Sequence, residues 1–253
     1  MTEPLLTFVI PAYNEAPNLA ATLLGIQRAA AERGVSFEAL IIDDGSGDGT
    51  GAIADGLAAE DPRIRVLHNP RNRGLGFNYT LGVQQAKGRF VMMVPGDNEV
   101  LPETVAELLG CLGRADIVVP YIANQEIRPL GRQLLSRLFT AGLNAAFGLK
   151  LRYYNGIVIH RADLVRSVPI TTHGFAYQAE ALVRLIRSGH SYVQAPMIIR
   201  ERPGGGSKAL RPRNVFSVLR TVAALLLDVR WRQRRSYAAP GPEVAGGRGG
   251  HPG

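Results

Sequence analysis

The sequence predicts an α/β protein in which helices flank a mostly parallel central sheet. Short apolar runs alternate with helix-forming segments over the first half of the chain, a spacing typical of right-handed crossovers between parallel strands. Several runs are continuously apolar, as expected for strands buried on both faces. Loops rich in Gly, Pro and acidic residues follow them, so we expect polar loops at the carboxyl edge of the sheet.

The predicted elements follow one another closely as far as residue 120. After that the alternation loosens, and no internal repeat is visible. Apolar runs predict strands at 5–10, 37–42, 63–68, 89–94, 116–120, 153–160 and 191–199. Helical periodicity predicts helices at 18–32, 51–59, 74–86, 102–112, 130–147 and 178–188.

The composition is that of an ordinary folded protein. The chain has 253 residues, of which 46% are hydrophobic and 20% charged, enough for one domain with a proper core. The single cysteine, Cys111, excludes an intrachain disulfide and is expected in the core. Residues 2–4 lead directly into a strand without a basic leader. We therefore predict an intracellular protein.

The net charge of +8 is unevenly distributed. Arginines collect in the second half, whereas the notable acidic loops lie in the first half. This division favours a metal-bound nucleotide at one end of the site and an anionic partner at the other. The basic stretches lack interleaved aromatics or a known reading motif, so nucleic acid is not expected as a partner.

The stretch FVMMVPGDNE, residues 90–99, is the centre of the predicted site. Its apolar run stops at Pro95, and Asp97 and Glu99 follow. Two carboxylates one residue apart on a loop suit a hard divalent cation that takes its other ligands from water and a diphosphate. The alternative is a solvated turn rich in acids.

Two further loops are predicted to bind a nucleotide. Pro11, Tyr13 and Glu15 follow the first strand, and Asp44 follows the second. The Tyr ring and the Pro are suited to flank a nucleobase, Asp44 to accept from its ring nitrogen, and Glu15 to accept from a ribose hydroxyl. For Asp44 the alternative is a turn and helix-cap residue.

A Gly-rich turn precedes the third predicted helix. In this turn Arg73 is a potential counter-charge, and Gly74 allows the backbone to approach a phosphate at the helix amino terminus.

The segments VIPAYNE, IIDDGSGDGT, NRGLG and RPGGGSK occur in the order and spacing of a known family. Over residues 5–208 the chain resembles the family 2 inverting glycosyltransferases of the GT-A (Rossmann-like) fold, particularly the polyprenyl-phosphate (dolichyl-phosphate-like) sugar transferases. The resemblance implies that the first two loops hold the nucleotide and that Mg or Mn binds Asp97 and Glu99. It also implies that the late segment with Arg202, Ser207 and Lys208 contacts phosphates.

The chain departs from the family pattern at two places. Pro95 stands where the family usually has its first acid, so that Asp97 takes the second acid position and Glu99 the position of a Gln. Residues 152–156 lack an acid that the family often has there. Glu180 matches a recurrent acid of the family, and its alternative is an ordinary charge on a helix face.

The resemblance predicts transfer of a sugar from a UDP- or GDP-sugar to a polyprenyl phosphate. The predicted catalytic residues are Asp97, Arg202 and Lys208, and Arg132, Arg202, Ser207 and Lys208 are predicted to contact the acceptor phosphate. Two alternatives remain open at this point: a soluble transferase acting on a glycan or small-molecule hydroxyl, and a non-catalytic nucleotide-sugar binder.

The carboxyl-terminal part is predicted to differ from the 1–208 domain. Residues 209–235 form an amphipathic basic helical segment, and 236–253 form a disordered Gly- and Pro-rich tail. The apolar stretch 215–227 is interrupted by Arg220 and is shorter than the ~20 residues of a spanning helix. We predict that it lies on the cytoplasmic face of a membrane, directly or through a membrane partner protein. The alternative is a helix that docks on the protein's own core.

Overall fold

The computed structural model describes residues 3–172, 174, 176–200, 212–232, 236–237 and 239–245. The predicted phosphate contacts Arg202, Ser207 and Lys208 lie outside the described residues.

A seven-stranded sheet forms the centre of the protein. In chain order its strands are β1 (Leu6–Ala12), β2 (Phe37–Asp43), β3 (Ile64–His68), β4 (Phe90–Met93), β5 (Ile117–Ile122), β6 (Ile159–Arg161) and β7 (Tyr192–Met197). The helices are α1 (Leu19–Glu32), α2 (Thr50–Glu60), α3 (Leu75–Gln85), α4 (Pro102–Leu109), α5 (Leu130–Phe147), α6 (Ala162–Ser167), α7 (Tyr177–Arg187) and α8 (Pro212–Leu227).

The strands lie in the order β3-β2-β1-β4-β6-β5-β7. Each pair that excludes β6 is parallel, and β6 runs antiparallel to both β4 and β5. The prediction of a mostly parallel sheet flanked by helices is confirmed. The order changes direction between β1 and β4, and ligands of open α/β sheets bind at the carboxyl edge of such a point.

Helices cover both faces of the sheet, and the alternation of side chains along each strand divides the core into two layers. Phe8 and Ile10 face the layer formed with α1, α2 and α4. Val9 between them faces the layer formed with α3, α5, α6 and α7. Cys111 is buried in the first layer, as expected. Because both layers are apolar, the strands read as continuous apolar runs in the sequence.

The predicted strand at 153–160 is wrong, since β6 is only Ile159–Arg161. Side-chain hydrogen bonds hold the preceding residues as a loop. The Asn144 amide donates to the Leu151 carbonyl at 2.8 Å and accepts from its N–H at 3.1 Å, and the Tyr154 hydroxyl donates to Asn144 at 2.9 Å. The apolar pattern therefore reflects burial in a loop, which periodicity does not distinguish from a strand.

At the carboxyl end, where an amphipathic basic helical segment was predicted, the structure contains α8, Pro212–Leu227. This helix docks on the protein's own core, because Leu225 and, just after the helix, Val229 are buried in the second layer. Leu219, Leu227 and Trp231 remain exposed. In the described part of the chain, each helix is too short or too polar to cross a membrane.

The described residues from 236 onward, where a disordered tail was predicted, contact the body of the protein. Tyr237 is buried. The N–H of Tyr192 at the start of β7 donates to the Pro242 carbonyl at 3.1 Å, and the Val244 N–H donates to the Tyr192 carbonyl at 2.7 Å. One buried aromatic ring and an available sheet edge are enough to fix a segment whose composition alone indicates disorder.

Candidate active site

Backbone hydrogen bonds join the carboxyl ends of β1 to β4. The Asp44 N–H donates to the Ala12 carbonyl at 2.8 Å, and the Gly96 N–H donates to the Pro11 carbonyl at 3.0 Å. The Asn69 N–H, after β3, donates to the carbonyl of Asp43 at 2.8 Å. The loops in which the sequence predicted a site therefore lie side by side at one edge of the sheet.

The first two loops form a single unit. The Asn14 N–H donates to the Ser46 hydroxyl at 3.0 Å, and the Asn14 side chain accepts from the Gly47 N–H at 3.0 Å. The Glu15 N–H donates to the Thr50 hydroxyl at 2.9 Å. Asn14 has a φ of 56°, a left-handed conformation that Asn tolerates better than most residues. The conformation of each of these two loops therefore depends on residues of the other.

The predicted nucleobase contacts differ in accessibility. Tyr13 is 45% exposed and presents its ring to solvent. Pro11 is buried at the end of β1, where its carbonyl holds the loop after β4. Glu15 is half-buried, and its carboxylate accepts from the Asn18 amide at 2.8 Å. Tyr13 is thus the accessible member of the predicted pair.

The Asp44 carboxylate is engaged by the Gly-rich turn. It is 3% exposed. Its Oδ1 accepts from the Asn69 amide and from the Arg73 N–H, both at 2.8 Å, and its Oδ2 accepts from the Gly74 N–H at 3.0 Å. Asp44 therefore fixes the turn that precedes α3, a role closer to the turn-residue alternative than to a direct nucleobase contact.

The turn places a cation at the amino terminus of α3. Gly74 has a φ of 87°, which favours glycine at this position. The Arg73 guanidinium lies over the Phe77 ring, 3.9 Å from its centroid. Stacking on an aromatic face restrains the Arg side chain while leaving its donors at the edge available to an anion. The arrangement suits a phosphate group at this helix terminus.

Asp97 and Glu99 lie on a tight turn after β4. Asn98 between them has a φ of 54°, and its N–H donates to the Thr22 hydroxyl of α1 at 2.9 Å. The Glu99 N–H donates to Asp97 Oδ1 at 3.2 Å. Both acids are half-buried. The turn is thus anchored to the body of the protein at its centre.

This donor set fits a divalent cation that also binds a diphosphate. Asp97 and Glu99 supply carboxylate oxygens, the ligands that Mg²⁺ and Mn²⁺ prefer. The described residues contain no group of three or more His, Cys, Asp or Glu that could hold a metal by itself. A two-carboxylate site of this kind binds Mg²⁺ together with substrate phosphates and water.

Glu180 lies at the other half of the sheet, where it is 1% exposed. Its carboxylate accepts from the N–H and the hydroxyl of Thr171 at 3.0 and 2.9 Å, and from the N–H of Thr172 at 3.1 Å. It also pairs with Arg184 at 3.3 Å. Glu180 is therefore neither an ordinary surface charge nor an accessible base.

Sequence reasoning missed a charged cluster behind the second loop. His68 Nδ1 lies 3.1 Å from Asp43 Oδ2, and its Nε2 lies 3.0 Å from Asp55 Oδ1. The hydrogen bonds to Asp43 and Asp55 raise the pKa of His68. Burial opposes ionisation of Asp43, but hydrogen bonds from Ser46 and His68 outweigh it and lower its pKa. The position of His68 at the end of a predicted strand was the feature of the sequence that could have indicated its proximity to the acids at and after the end of β2.

Residues 7–169 match the family described as Glycosyl transferase family 2. The chain belongs to this family. The glycosyltransferase is 32% identical to the undecaprenyl-phosphate mannosyltransferase of Micrococcus luteus over 79% of its own length and 85% of the relative's. It is 31% identical to the polyprenol monophosphomannose synthase of Mycolicibacterium smegmatis, over 79% of each chain.

Solved structures confirm the GT-A-like fold of this glycosyltransferase. Glucosyl-3-phosphoglycerate synthase from Mycobacterium tuberculosis, solved with Mn²⁺, UDP-glucose and phosphoglyceric acid, superposes with a TM-score of 0.60 at 19% identity. The match covers 94% of this chain and 81% of that one. At this identity the likeness establishes the fold, and the site assignments rest on the residues described above.

Proposed function

We propose that this glycosyltransferase transfers a sugar, with inversion, from a nucleotide-sugar donor to a polyprenyl phosphate at a membrane surface. The observation on which the proposal chiefly depends is the similarity, over 79% of the chain, to relatives named as undecaprenyl-phosphate and polyprenol-phosphate mannosyltransferases. The same names make mannose the first sugar to test.

The donor is assigned to the β1 to β4 half of the site. Tyr13 flanks the base, the turn held by Asp44 directs Arg73 toward the phosphates, and Asp97 and Glu99 hold Mg or Mn. When bound, this cation neutralises charge on the departing nucleoside diphosphate. Asp97 and Glu99 therefore act by binding the cation, and neither is assigned as the proton acceptor.

The state of Glu180 favours a phosphate acceptor over a hydroxyl acceptor. A hydroxyl needs a carboxylate base near the reacting carbon. Glu180, the acid that matches a recurrent position of the family and is not assigned to the metal, is the candidate for that base. Its oxygens are already occupied by Thr171, Thr172 and Arg184. A phosphate oxygen is an anion at neutral pH and attacks without such a base. The enzyme then has to position the acceptor and balance its charge.

Helix α5 offers an apolar face to a membrane. Leu130, Leu134 and Leu138, spaced four residues apart, are 80%, 59% and 61% exposed, and this spacing puts them on one side of the helix. Arg132 and Arg137 lie on the same helix. At about 100° per residue, Arg137 borders this leucine face, whereas Arg132 lies on nearly the opposite side of the helix. An exposed leucine face with a basic residue at its border is typical of helices that lie in the interface of anionic bilayers. We assign this face to the cytoplasmic surface of a membrane.

A cationic cavity adjoins this helix. It is open to solvent, has a volume of about 190 Å³ and is lined by Ser136, Arg137, Thr140, Asn144 and Arg152, together with Gln125. Two guanidinium groups and two hydroxyls are good donors for a phosphate. The cavity supports the placement of the acceptor phosphate beside α5, where Arg132 was also predicted to act.

Product analysis tests the proposal. The protein is incubated with UDP- and GDP-linked sugars, with and without undecaprenyl phosphate, and lipid-linked sugar is extracted into organic solvent. We expect sugar in the lipid fraction only when the polyprenyl phosphate is present. Arg152→Ala should raise the KM for that acceptor, while Glu103→Gln, an acid on α4, serves as the control.

Two outcomes would overturn the proposal. Transfer to a soluble hydroxyl acceptor, with no lipid-linked product, would establish the soluble transferase instead. Donor binding without turnover on any acceptor would establish the non-catalytic binder.

A further inference from the structure

Arg184 is a charged side chain in the protein interior. It is not among the residues assigned to donor binding. The side chains of Arg184 and Glu180 are each 2% exposed. Burial of an ion pair requires that the remaining donors and acceptors find partners. The partners of these two residues come from three separate parts of the chain.

On one side, the pair holds the loop that precedes α7. Glu180 accepts from the backbone N–H groups of both Thr171 and Thr172 and from the Thr171 hydroxyl. Arg184 contacts Glu180 Oε1 through Nη2 at 3.3 Å and Nε at 3.4 Å. The position of the loop backbone at these two residues therefore depends on the orientation of the Glu180 carboxylate.

On the other side, the pair is held by the carboxyl-terminal part of the chain. Arg184 Nη2 lies 3.0 Å from Asp228 Oδ2, just after α8, and Nη1 donates to the Tyr237 hydroxyl at 3.2 Å. Arg187 donates to the Tyr237 carbonyl at 2.6 Å. The hydrogen bond from Arg184 is the main reason that the pKa of Asp228 is lowered.

The first turn of α7, the helix that carries Glu180, adjoins the half of the site assigned to the acceptor. The Gln178 amide, in the first turn of α7, donates to the Gly156 carbonyl at 3.3 Å. Gly156 precedes β6, which runs antiparallel to β4 and β5, so it lies toward their carboxyl ends. A Cβ built on Gly156 would overlap the ring of Pro120 in β5. The start of α7 thus packs at the edge of the sheet on which Asp97 lies.

We propose that Arg184 is a positioning residue for the acceptor half of the site, through which Asp228 and Tyr237 fix the Thr171–Thr172 loop by way of Glu180. The inference deepens the proposed function and rests on it for the identity of the acceptor. It gives the carboxyl-terminal part of the chain a role in the reaction: through Arg184 and Glu180, that part supports the loop that leads into α7, whose first turn packs at the acceptor half of the site.

Asp228→Asn and Tyr237→Phe test the proposal without leaving a buried carboxylate unpaired, because both retain Arg184 beside Glu180. The first measurement is hydrogen exchange of the Thr171 and Thr172 amides. We expect both amides to exchange faster in each variant, with the urea midpoint changed little. Asp163→Asn is the matched control, since Asp163 also pairs with an arginine but lies on α6. Unchanged exchange at both amides would overturn the proposal, whatever reaction the enzyme catalyses.

Steady-state kinetics with undecaprenyl phosphate provide the second measurement. We expect Asp228→Asn to lower kcat/KM for this acceptor by about 5- to 30-fold, as is usual for coupled neighbours, and to leave donor KM unchanged. In a Glu180→Gln background the same substitution should cause little further loss, because both changes act through one carboxylate. Additive losses, or an equal loss toward the donor, would contradict the positioning role.

Discussion

Replacing Asp44 by Asn tests whether the turn before α3 is built to bind the donor. The substitution keeps the shape of the side chain and an oxygen that still accepts from Asn69 and Arg73. Its amide nitrogen, however, faces the Gly74 N–H, which now lies 3.0 Å from a carboxylate oxygen. One charge-assisted hydrogen bond is lost and two donors are opposed, which costs about 2 to 3 kcal/mol of unfolding free energy.

The loss should appear in two assays. In urea denaturation followed by circular dichroism, the variant should lose about 2 to 3 kcal/mol, equivalent to a fall in Tm of roughly 4 to 12 °C for a chain of this size. In calorimetric titration with the nucleotide-sugar donor, it should bind about 5- to 150-fold more weakly, corresponding to about 1 to 3 kcal/mol. The affinity falls because Arg73 and Gly74 are no longer held where the phosphates bind.

Glu38→Gln is the matched control. Glu38 is also a buried acid, and its carboxylate accepts from the Thr7 hydroxyl, the Lys87 N–H and Arg65. It lies near the start of β2, at the opposite end of the sheet from Asp44. The control should lose stability and keep its donor affinity. If the Asp44 variant binds the donor normally, or if both variants lose affinity equally, the turn has no specific role in donor binding.

Three further predictions concern the metal, pH and the membrane. Asp97→Ala and excess chelator should each abolish transfer, and full activity in chelator would exclude the cation assigned to Asp97 and Glu99. Because its pKa is raised, His68 contributes stability that is fully present below its unfolded pKa and is lost as pH rises through the folded pKa. Urea midpoints should therefore fall from pH 6 to pH 8 less steeply in His68→Asn than in the unmodified protein, and equal slopes would contradict this. Leu134→Asp should weaken flotation with anionic vesicles, and high salt should do the same. The control Leu24→Asp, at an exposed leucine of α1, should float normally. Equal flotation of the two variants would show that α5 is not the membrane contact.

The sequence was most informative where local hydrophobic patterning determines the structure. Continuous apolar runs predicted the parallel strands, and the loops after these strands predicted that Asp44 and Asp97 lie at one edge of the sheet. The role of Asp44 was less accessible, because it depends on N–H groups about 30 residues later in the chain. The partners of Glu180 were likewise hidden, since Tyr237 lies in a segment whose composition resembles a linker. Side-chain hydrogen bonds between distant segments leave no periodic trace in a sequence.

The pairing of the carboxyl-terminal segment with β7 also bears on solubility. β7 is one of the two edge strands of the sheet, and an open edge strand is a template for aggregation. Both backbone groups of Tyr192 point outward to that segment, so those of Gln194 and Pro196 point to the same side. The Gln194 side chain donates to Glu243 at 2.9 Å, and Pro196 has no N–H to offer another chain. The outer edge of β7 is thus covered near Tyr192, and it lacks a backbone N–H donor at Pro196. Both features disfavour pairing of this edge with a strand of another chain.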